Sequence, residues 1–157
     1  MPHPQSWRDQ QHLTPETVEQ FAIGRTPALH PLGVRLQEIG DRWVTLRLDW
    51  KESLVGNPET GALMGGVITT VIDQASGISA ALATRGRKPP EATLDLRVDY
   101  LKPSRRGSAL CIRAECHKTT RRIAFIRATV WHADDPDDLV ATSVATFMLT
   151  EPAQDAS

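Results

Sequence analysis

Apolar and polar residues alternate along much of the chain, and this period of two predicts strands. Residues 43–50 show the pattern most clearly, with Val44, Leu46, Leu48 and Trp50 set against polar neighbours, as in a half-buried strand. The same alternation predicts strands at 92–101, 109–117 and 122–132. A nearly continuous apolar and hydroxyl run predicts a central strand over 139–149, and a weaker pattern predicts one over 33–40.

Strict alternation within 92–101 divides its residues between two faces of the predicted sheet. The expected apolar face carries Leu94, Leu96, Val98 and Tyr100, and the expected polar face carries Thr93, Asp95, Arg97 and Asp99.

The segment 65–84 has its apolar residues at helical spacing and is too long for an ordinary strand. Its stripe consists of Val67, Val71, Ala75, Ile78 and Leu82, with Ile68 and Ile72 beside it. A helix that is apolar over most of its circumference is buried, so this segment is predicted to be a core helix. A short leading helix is predicted to begin after Thr14 and to end at Gly24, because a hydroxyl, a proline and an acidic residue open it.

The predicted order is therefore a short helix, two strands, a long buried helix and four strands. Short turns link the last four strands, so consecutive strands are expected to be antiparallel neighbours. One helix wrapped by an antiparallel sheet is an α+β architecture. The 157 residues fit one domain. We expect an N-terminal extension with the short helix at 1–30, the main domain at 31–150 and a tail at 151–157.

Composition and charge exclude several functional classes. The formal net charge of −1 argues against a general affinity for nucleic acid or anionic membranes. Cys111 and Cys116 lie five positions apart on one predicted strand, on opposite faces, so a disulfide between them is implausible. The five histidines lack metal-ligand spacing, and neither a serine-hydrolase elbow nor a dinucleotide-binding glycine motif is present. We expect no metal and, without a signal or membrane-span pattern, a cytoplasmic location.

Asp73 is the one charged residue between Thr60 and Thr84, in the middle of the predicted core helix. A carboxylate there costs several kcal/mol of folding free energy, roughly, unless it is paired, neutralised or exposed at a cleft. One interpretation places it on a narrow polar stripe with Thr69, Thr70 and Gln74. The other is catalytic: Gly65 and Gly66 present free backbone N–H groups at the helix N-terminus, where an oxyanion could bind, and a carboxylate follows two turns later. These are components of acyl-transfer chemistry.

The stretch from Asn57 through Gly61-Ala62-Leu63-Met64-Gly65-Gly66 to Asp73 resembles the signature of hotdog-fold thioesterases of the phenylacetate-degradation (PaaI-like) type. In that family an Asn-containing loop leads to His-Gly-Gly, and an acidic residue follows on the central helix. The segment 93–103, which ends in Tyr-Leu-Lys-Pro, is similar to the family's next strand, and 120–125 to its later hairpin. The similarity covers roughly residues 33–150.

This resemblance implies a hotdog fold and hydrolysis of an acyl-CoA thioester at a site shared between two subunits. By position, Asp73 would be the nucleophile or general base, the Gly65 N–H the oxyanion donor, and Asn57 a group that holds the water or the thioester. Thr93 would lie across the dimer interface, near the attacking group. The further residues expected to contact the substrate are Met64, Gly66, Gln74, Arg121 and Arg122. The family forms homodimers or dimers of dimers and needs no cofactor, since CoA is part of the substrate.

One departure from the family keeps other functions open. Met64 stands where the family has its usual histidine, which suggests an altered substrate, a slow enzyme or a non-catalytic acyl-CoA-binding module. A hotdog hydratase or dehydratase is a weaker alternative, because it needs a histidine on or near the central helix. Five basic residues fall in turns, where each alone is typical of a solvated hairpin end. With the resemblance, the group is expected to form a patch for the CoA phosphates: Arg105, Arg106, Lys118, Arg121 and Arg122.

Overall fold

The computed structural model describes residues 13–85, 88 and 90–150. The predicted C-terminal tail at 151–157 and most of the polar N-terminal segment lie outside the described residues. Two helices are α1 (Pro15–Thr17), which continues as a π-helical turn over Val18–Ile23, and α2 (Gly65–Ala83). The strands are β1 (Arg35–Ile39), β2 (Trp43–Leu48), β3 (Val55–Asn57), β4 (Ala62–Leu63), β5 (Ala92–Tyr100), β6 (Leu110–Thr119), β7 (Ile123–His132) and β8 (Asp135–Met148). Short 3-10 turns cover Pro27–Leu29 and Glu52–Leu54.

Six of the strands form one antiparallel sheet in the order β1-β2-β6-β7-β8-β5. Helix α2 packs against its inner face, and Val71, Ile72 and Ala75 are fully buried there. The apolar stripe of α2 is long enough to cross a membrane, but it is buried against the sheet, as expected of a core helix. The prediction of an antiparallel sheet around one long helix is confirmed.

The N-terminal extension joins this same core. Val18 and Ile23 are buried in the hydrophobic cluster that includes α2, and Thr14 caps α1 by accepting a hydrogen bond from the Thr17 N–H at 3.3 Å. The predicted regular helix is wrong after Thr17, because the chain widens into a π turn that the Gly24 N–H closes on Glu19 O at 2.8 Å. The boundary between the extension and the main domain remains a prediction.

The segment 51–64, between β2 and α2, contains a pair of short strands that the predicted order of elements omits. Residues Val55–Asn57 and Ala62–Leu63 pair as a small antiparallel hairpin. Its second strand is fixed to the loop after β5, since the Ser104 hydroxyl accepts a hydrogen bond from the Leu63 N–H at 2.9 Å. The hairpin therefore delivers the chain to the first turn of α2 along a defined path.

Strand β5 departs from strict alternation at its start. Its register against β8 shifts between Thr93 and Asp95, which is a β-bulge centred on Leu94. Thr93 therefore pairs with the buried Phe147 and lies on the side of the sheet that faces α2. The prediction that Leu94 lies on the apolar face and Thr93 on the polar one is wrong, and Leu94 is 47% exposed.

Candidate active site

Asp73 lies on α2 and is half-buried, at the side of the helix that borders β5. The Thr93 hydroxyl donates a hydrogen bond to Asp73 Oδ1 at 2.8 Å. This contact fixes the orientation of the carboxylate and leaves Oδ2 available for a substrate or water.

The Thr93 contact lies within one chain. The resemblance places Thr93 across a subunit interface from the attacking group. If Asp73 is that group, the structure corrects this expectation, because both residues belong to the same chain. The physical reason is the bulge at Leu94, which turns Thr93 toward its own helix.

The other members of the predicted polar stripe have separate partners. Thr69 Oγ1 lies 2.6 Å from the Tyr100 hydroxyl, and the Thr70 hydroxyl donates to Gly66 O at 2.8 Å. Gln74 Nε2 donates to Ala22 O at 2.7 Å, which ties the N-terminal π turn to α2. Asp73 therefore differs from its polar neighbours on the helix, since it alone among them carries a charge.

The N-terminus of α2 presents two backbone donors. Met64 is the N-cap residue, and within the described part of the chain the N–H groups of Gly65 and Gly66 have no backbone acceptor outside the helix. The first backbone bonds of the turn run from Val67 and Ile68 to Met64 O. Free N–H groups and the positive end of the helix dipole together suit an anion or an oxyanion.

Tyr100 holds this first turn in place, and sequence reasoning did not assign it a role. Its hydroxyl donates to Gly65 O, and its ring lies against Gly65, where an added Cβ would be 3.3 Å from the ring. The sequence signal for this residue was the Tyr-Leu-Lys-Pro motif at the end of the predicted strand.

A second cleft of about 430 Å³ begins at Tyr100, between the first turn of α2 and the loop from Leu101 to Ser104.

Asn57 and Met64 flank the helix start. Asn57 is exposed at the end of β3, and its Oδ1 accepts a hydrogen bond from the Glu59 N–H at 3.1 Å, which stabilises the hairpin turn. Met64 is 57% exposed, so its side chain presents an apolar surface to solvent beside the free N–H groups. Both roles predicted for these residues remain predictions.

Arg121 and Arg122 lie in the exposed turn between β6 and β7. The Leu149 N–H donates to Arg122 O at 2.7 Å and the Glu91 N–H to Met148 O at 2.8 Å, so this turn is at the sheet end where β5 begins. The expected single patch of five basic residues is wrong within one chain. Arg105 and Arg106 precede β6, whereas Arg121 and Arg122 follow it. The ten extended residues of β6 separate these two turns by roughly 30 Å.

A cleft of about 470 Å³ lies between α2, the N-terminal π turn and the start of β5. Gln74 lines this cleft, and so does Thr93, whose hydroxyl binds Asp73. Its apolar lining includes Phe21, Gly77, Ile78, Ala81 and Phe147. A cleft of this size is in the range of about 300–1,000 Å³ that small-molecule sites occupy.

Histidine and carboxylate groups do not gather into a metal site: in the described ranges, no three or more His, Cys, Asp or Glu side chains are placed to hold an ion.

Comparison with known proteins gives consistent matches. The sequence profile of the thioesterase superfamily matches residues 60–138. The medium/long-chain acyl-CoA thioesterase YigI of Salmonella typhimurium is 26% identical over 144 residues, which are 84% of this chain and 91% of that protein. A solved structure from Pseudomonas aeruginosa is 31% identical, with a TM-score of 0.76 over 87% of this chain and 98% of the other. The phenylacetic acid degradation protein PaaI from Thermus thermophilus shares the fold at 20% identity, with a TM-score of 0.67 over 79% of this chain and 99% of that one. The predicted hotdog fold and the PaaI-like resemblance are confirmed.

Proposed function

The chain belongs to the thioesterase superfamily as a thioester hydrolase, and we propose that it hydrolyses acyl-CoA with Asp73 as the catalytic carboxylate. The observation that carries this proposal is the Thr93–Asp73 hydrogen bond of 2.8 Å at the border of a cleft with a partly apolar lining. It gives an oriented carboxylate beside a space that fits an acyl group.

Asp73 acts at the thioester carbonyl in one of two ways. As a general base it takes a proton from water, and the hydroxide attacks the carbonyl carbon; as a nucleophile it attacks that carbon itself and water then hydrolyses the anhydride. In both, the carbonyl oxygen becomes an oxyanion, the C–S bond breaks, and CoA leaves as a thiolate that takes up a proton. The Thr93 hydroxyl keeps the carboxylate oriented in either route.

The oxyanion donor must come from a second copy of the chain. Gly65 and Asp73 are eight residues apart on one α-helix, about 12 Å along its axis. A carbonyl group bound within about 3 Å of Asp73 cannot therefore reach the Gly65 N–H of the same chain. A site complete in both groups needs Asp73 from one subunit and Gly65 from the other.

Strand β5 offers the geometry for such a homodimer. It is an edge strand of nine residues, with Thr93 near one end and Tyr100, which holds Gly65, at the other. The β5 strand of a second copy can pair antiparallel with this edge, about a two-fold axis near Leu96. The Tyr100 end of the second copy then lies beside the Thr93 end of the first. Gly65 of the second copy then approaches Asp73 of the first, and an exposed edge that favours aggregation is covered.

The charges of β5 favour this pairing. Asp95, Arg97 and Asp99 alternate along its outer face. With the two-fold axis at Leu96, Asp95 lies opposite Arg97 of the second copy, and each such pair of opposite charges stabilises the sheet. An axis at Arg97 would place two arginines opposite each other. A dimer of dimers could then form through other surfaces.

An acyl-CoA substrate agrees with the cleft and with the medium/long-chain acyl-CoA thioesterase activity of the YigI relatives. The acyl group occupies the cleft beyond Thr93. Gln74 borders the thioester from the subunit that supplies Asp73, and Gly66 borders it from the subunit that supplies Gly65. Arg121 and Arg122 lie at the Thr93 end of β5, where they can bind CoA phosphates. Hydrolysis of this kind needs no cofactor. Since acyl-CoA is an intracellular metabolite and Cys111 and Cys116 are free thiols, we also propose a cytoplasmic location.

The non-catalytic binding module and the hydratase are less well supported. The family and its acyl-CoA thioesterase relatives favour a hydrolase. A pocket that only binds an apolar acyl chain gains nothing from a carboxylate at its border. Met64 leaves the oxyanion donor intact, because that donor is a backbone group.

The test compares wild type with Asp73→Asn on a panel of aliphatic and aromatic acyl-CoAs. We expect kcat to fall by about 100-fold or more with the fold intact. Asp41→Asn is the matched control, since Asp41 is 97% exposed in the turn before β2, and it should retain full activity. Tight binding of CoA esters without turnover in wild type would instead identify a binding module.

A further inference from the structure

Gly77 is a glycine in the interior of α2 that the backbone does not require. Glycine is a poor helix former, second only to proline. Its φ is not positive, and an added Cβ would meet only Phe147 Cε1 at 3.4 Å and Cζ at 3.9 Å, which is ordinary contact. Neither strain nor a close backbone approach explains the residue, so its small size has another consequence.

That consequence is space in the cleft beside Asp73. Gly77 follows Asp73 by one helical turn and lines the cleft together with Ile78 and Ala81. Phe147 and Phe21 line the cleft as well, from β8 and from the N-terminal π turn. A side chain at Gly77 would project from the helix into this space.

We propose that Gly77 sets the length of acyl chain that the enzyme accepts, by leaving a channel along α2 from Asp73 toward Ala81. This inference rests on the acyl-CoA hydrolysis proposed above. Gly77 lies about 6 Å and Ala81 about 12 Å from Asp73 along the helix axis. A carbon–carbon bond of about 1.5 Å advances an extended chain by roughly 1.25 Å, so Gly77 is reached at roughly the fifth acyl carbon and Ala81 at roughly the tenth.

The N-terminal π turn forms the outer wall of this channel. Gln74 Nε2 holds Ala22 O at 2.7 Å, and Phe21 and Arg25 line the cleft from the same turn. The Arg25 guanidinium lies 5.3 Å from the centre of the Phe21 ring, which fixes the ring by a cation–π contact. The acyl chain is thereby shielded from water, which favours linear medium-length substrates over short ones.

The experiment measures kcat/KM for butanoyl-, octanoyl- and dodecanoyl-CoA in wild type and three variants. Gly77→Leu blocks the channel near the fifth carbon, so we expect butanoyl-CoA hydrolysis within about 3-fold of wild type and octanoyl-CoA hydrolysis at least about 10-fold lower. Ala81→Leu is the matched variant one turn further on. It should retain octanoyl-CoA hydrolysis and lose dodecanoyl-CoA hydrolysis.

Gly77→Ala keeps the test interpretable if the larger side chains disturb folding. Alanine removes the helix penalty of glycine, so its melting temperature should rise while its preference shifts toward butanoyl-CoA. Equal losses on all three substrates, or the same chain-length limit in Gly77→Leu and Ala81→Leu, would overturn the assignment of Gly77. Absence of acyl-CoA hydrolysis in wild type would overturn the proposed function instead, so the two failures are distinct.

Discussion

Thr93 donates a hydrogen bond to Asp73 because β5 is bulged at Leu94, one residue after it. In a regular strand Thr93 would share the outer face with Asp95, and Asp73 would lose this partner. The bulge is therefore part of the candidate site, although Leu94 itself does not contact the carboxylate.

The first prediction concerns this hydroxyl. Thr93→Val keeps the shape of the side chain and removes the donor, so kcat/KM on acyl-CoA should fall by roughly 10- to 100-fold, as expected for a hydrogen bond to a charged group. Thr93→Ser retains the donor and should recover most of the activity. Thermal unfolding should be similar in both variants, because Thr93 is exposed in the monomer. Equal activity in the Val and Ser variants would argue against the contact.

The second prediction tests whether the site is shared between subunits. Asp73→Asn removes the carboxylate, and Gly65→Pro removes the proposed oxyanion N–H. Proline is well suited to the first position of a helix, and Met64 before it has an extended ψ of 132°, so the backbone accepts the change. The Tyr100 ring, 3.3 Å from the added Cβ, must move by a few tenths of an ångström, so circular dichroism of the variant is measured first. Each variant alone should be inactive as a homodimer.

Mixed dimers of the two variants should regain activity. One of their two sites combines Asp73 from the Gly65→Pro chain with Gly65 from the Asp73→Asn chain, so that site is intact. Co-expression with two different affinity tags isolates the mixed dimer, whose kcat per dimer should be about half that of wild type, since one of two sites works. If both groups acted within one chain, the mixed dimer would be as inactive as its parents.

The periodic elements could be predicted from the sequence because each buries one face. The period of two in β2, β6 and β7 and the helical stripe of α2 are direct consequences of packing against one core. Asp73 was conspicuous for the same reason, since a lone charge interrupts an otherwise apolar helix.

Features that depend on a neighbouring strand could not be predicted in this way. The bulge at Leu94 arises in the pairing of β5 with β8, and alternation alone gave Thr93 the wrong face. The roughly 30 Å between the Arg105 and Arg122 turns follows from the length of β6, which sequence proximity concealed. Tyr100 reaches Gly65 only through the tertiary fold, so its hydroxyl had no signal beyond the strand-end motif.

The third prediction concerns His132, a fully buried residue at the end of β7. Its Nε2 accepts a hydrogen bond from the Arg105 N–H at 3.0 Å, and its Nδ1 lies 2.5 Å from Asp138 Oδ2. Nδ1 therefore carries the proton of a neutral imidazole. Burial lowers the pKa of His132, and the nearby cations of Arg105 and Lys102 lower it further. The carboxylates of Asp134 and Asp135 act in the opposite direction, with a smaller effect.

This buried neutral histidine makes stability depend on pH in a defined direction. In the unfolded chain the imidazole binds a proton near pH 6.5, whereas the folded chain resists protonation, so the unfolded state takes up more protons as the pH falls. Its contribution to the free energy of unfolding is complete above about pH 6.5 and is lost progressively below it. Urea unfolding between pH 8 and 5.5 should show this decline in wild type, in a range where most carboxylates remain ionised. His132→Gln should be less stable at pH 8 and show a shallower decline, and an identical pH dependence in both proteins would assign the effect to other groups.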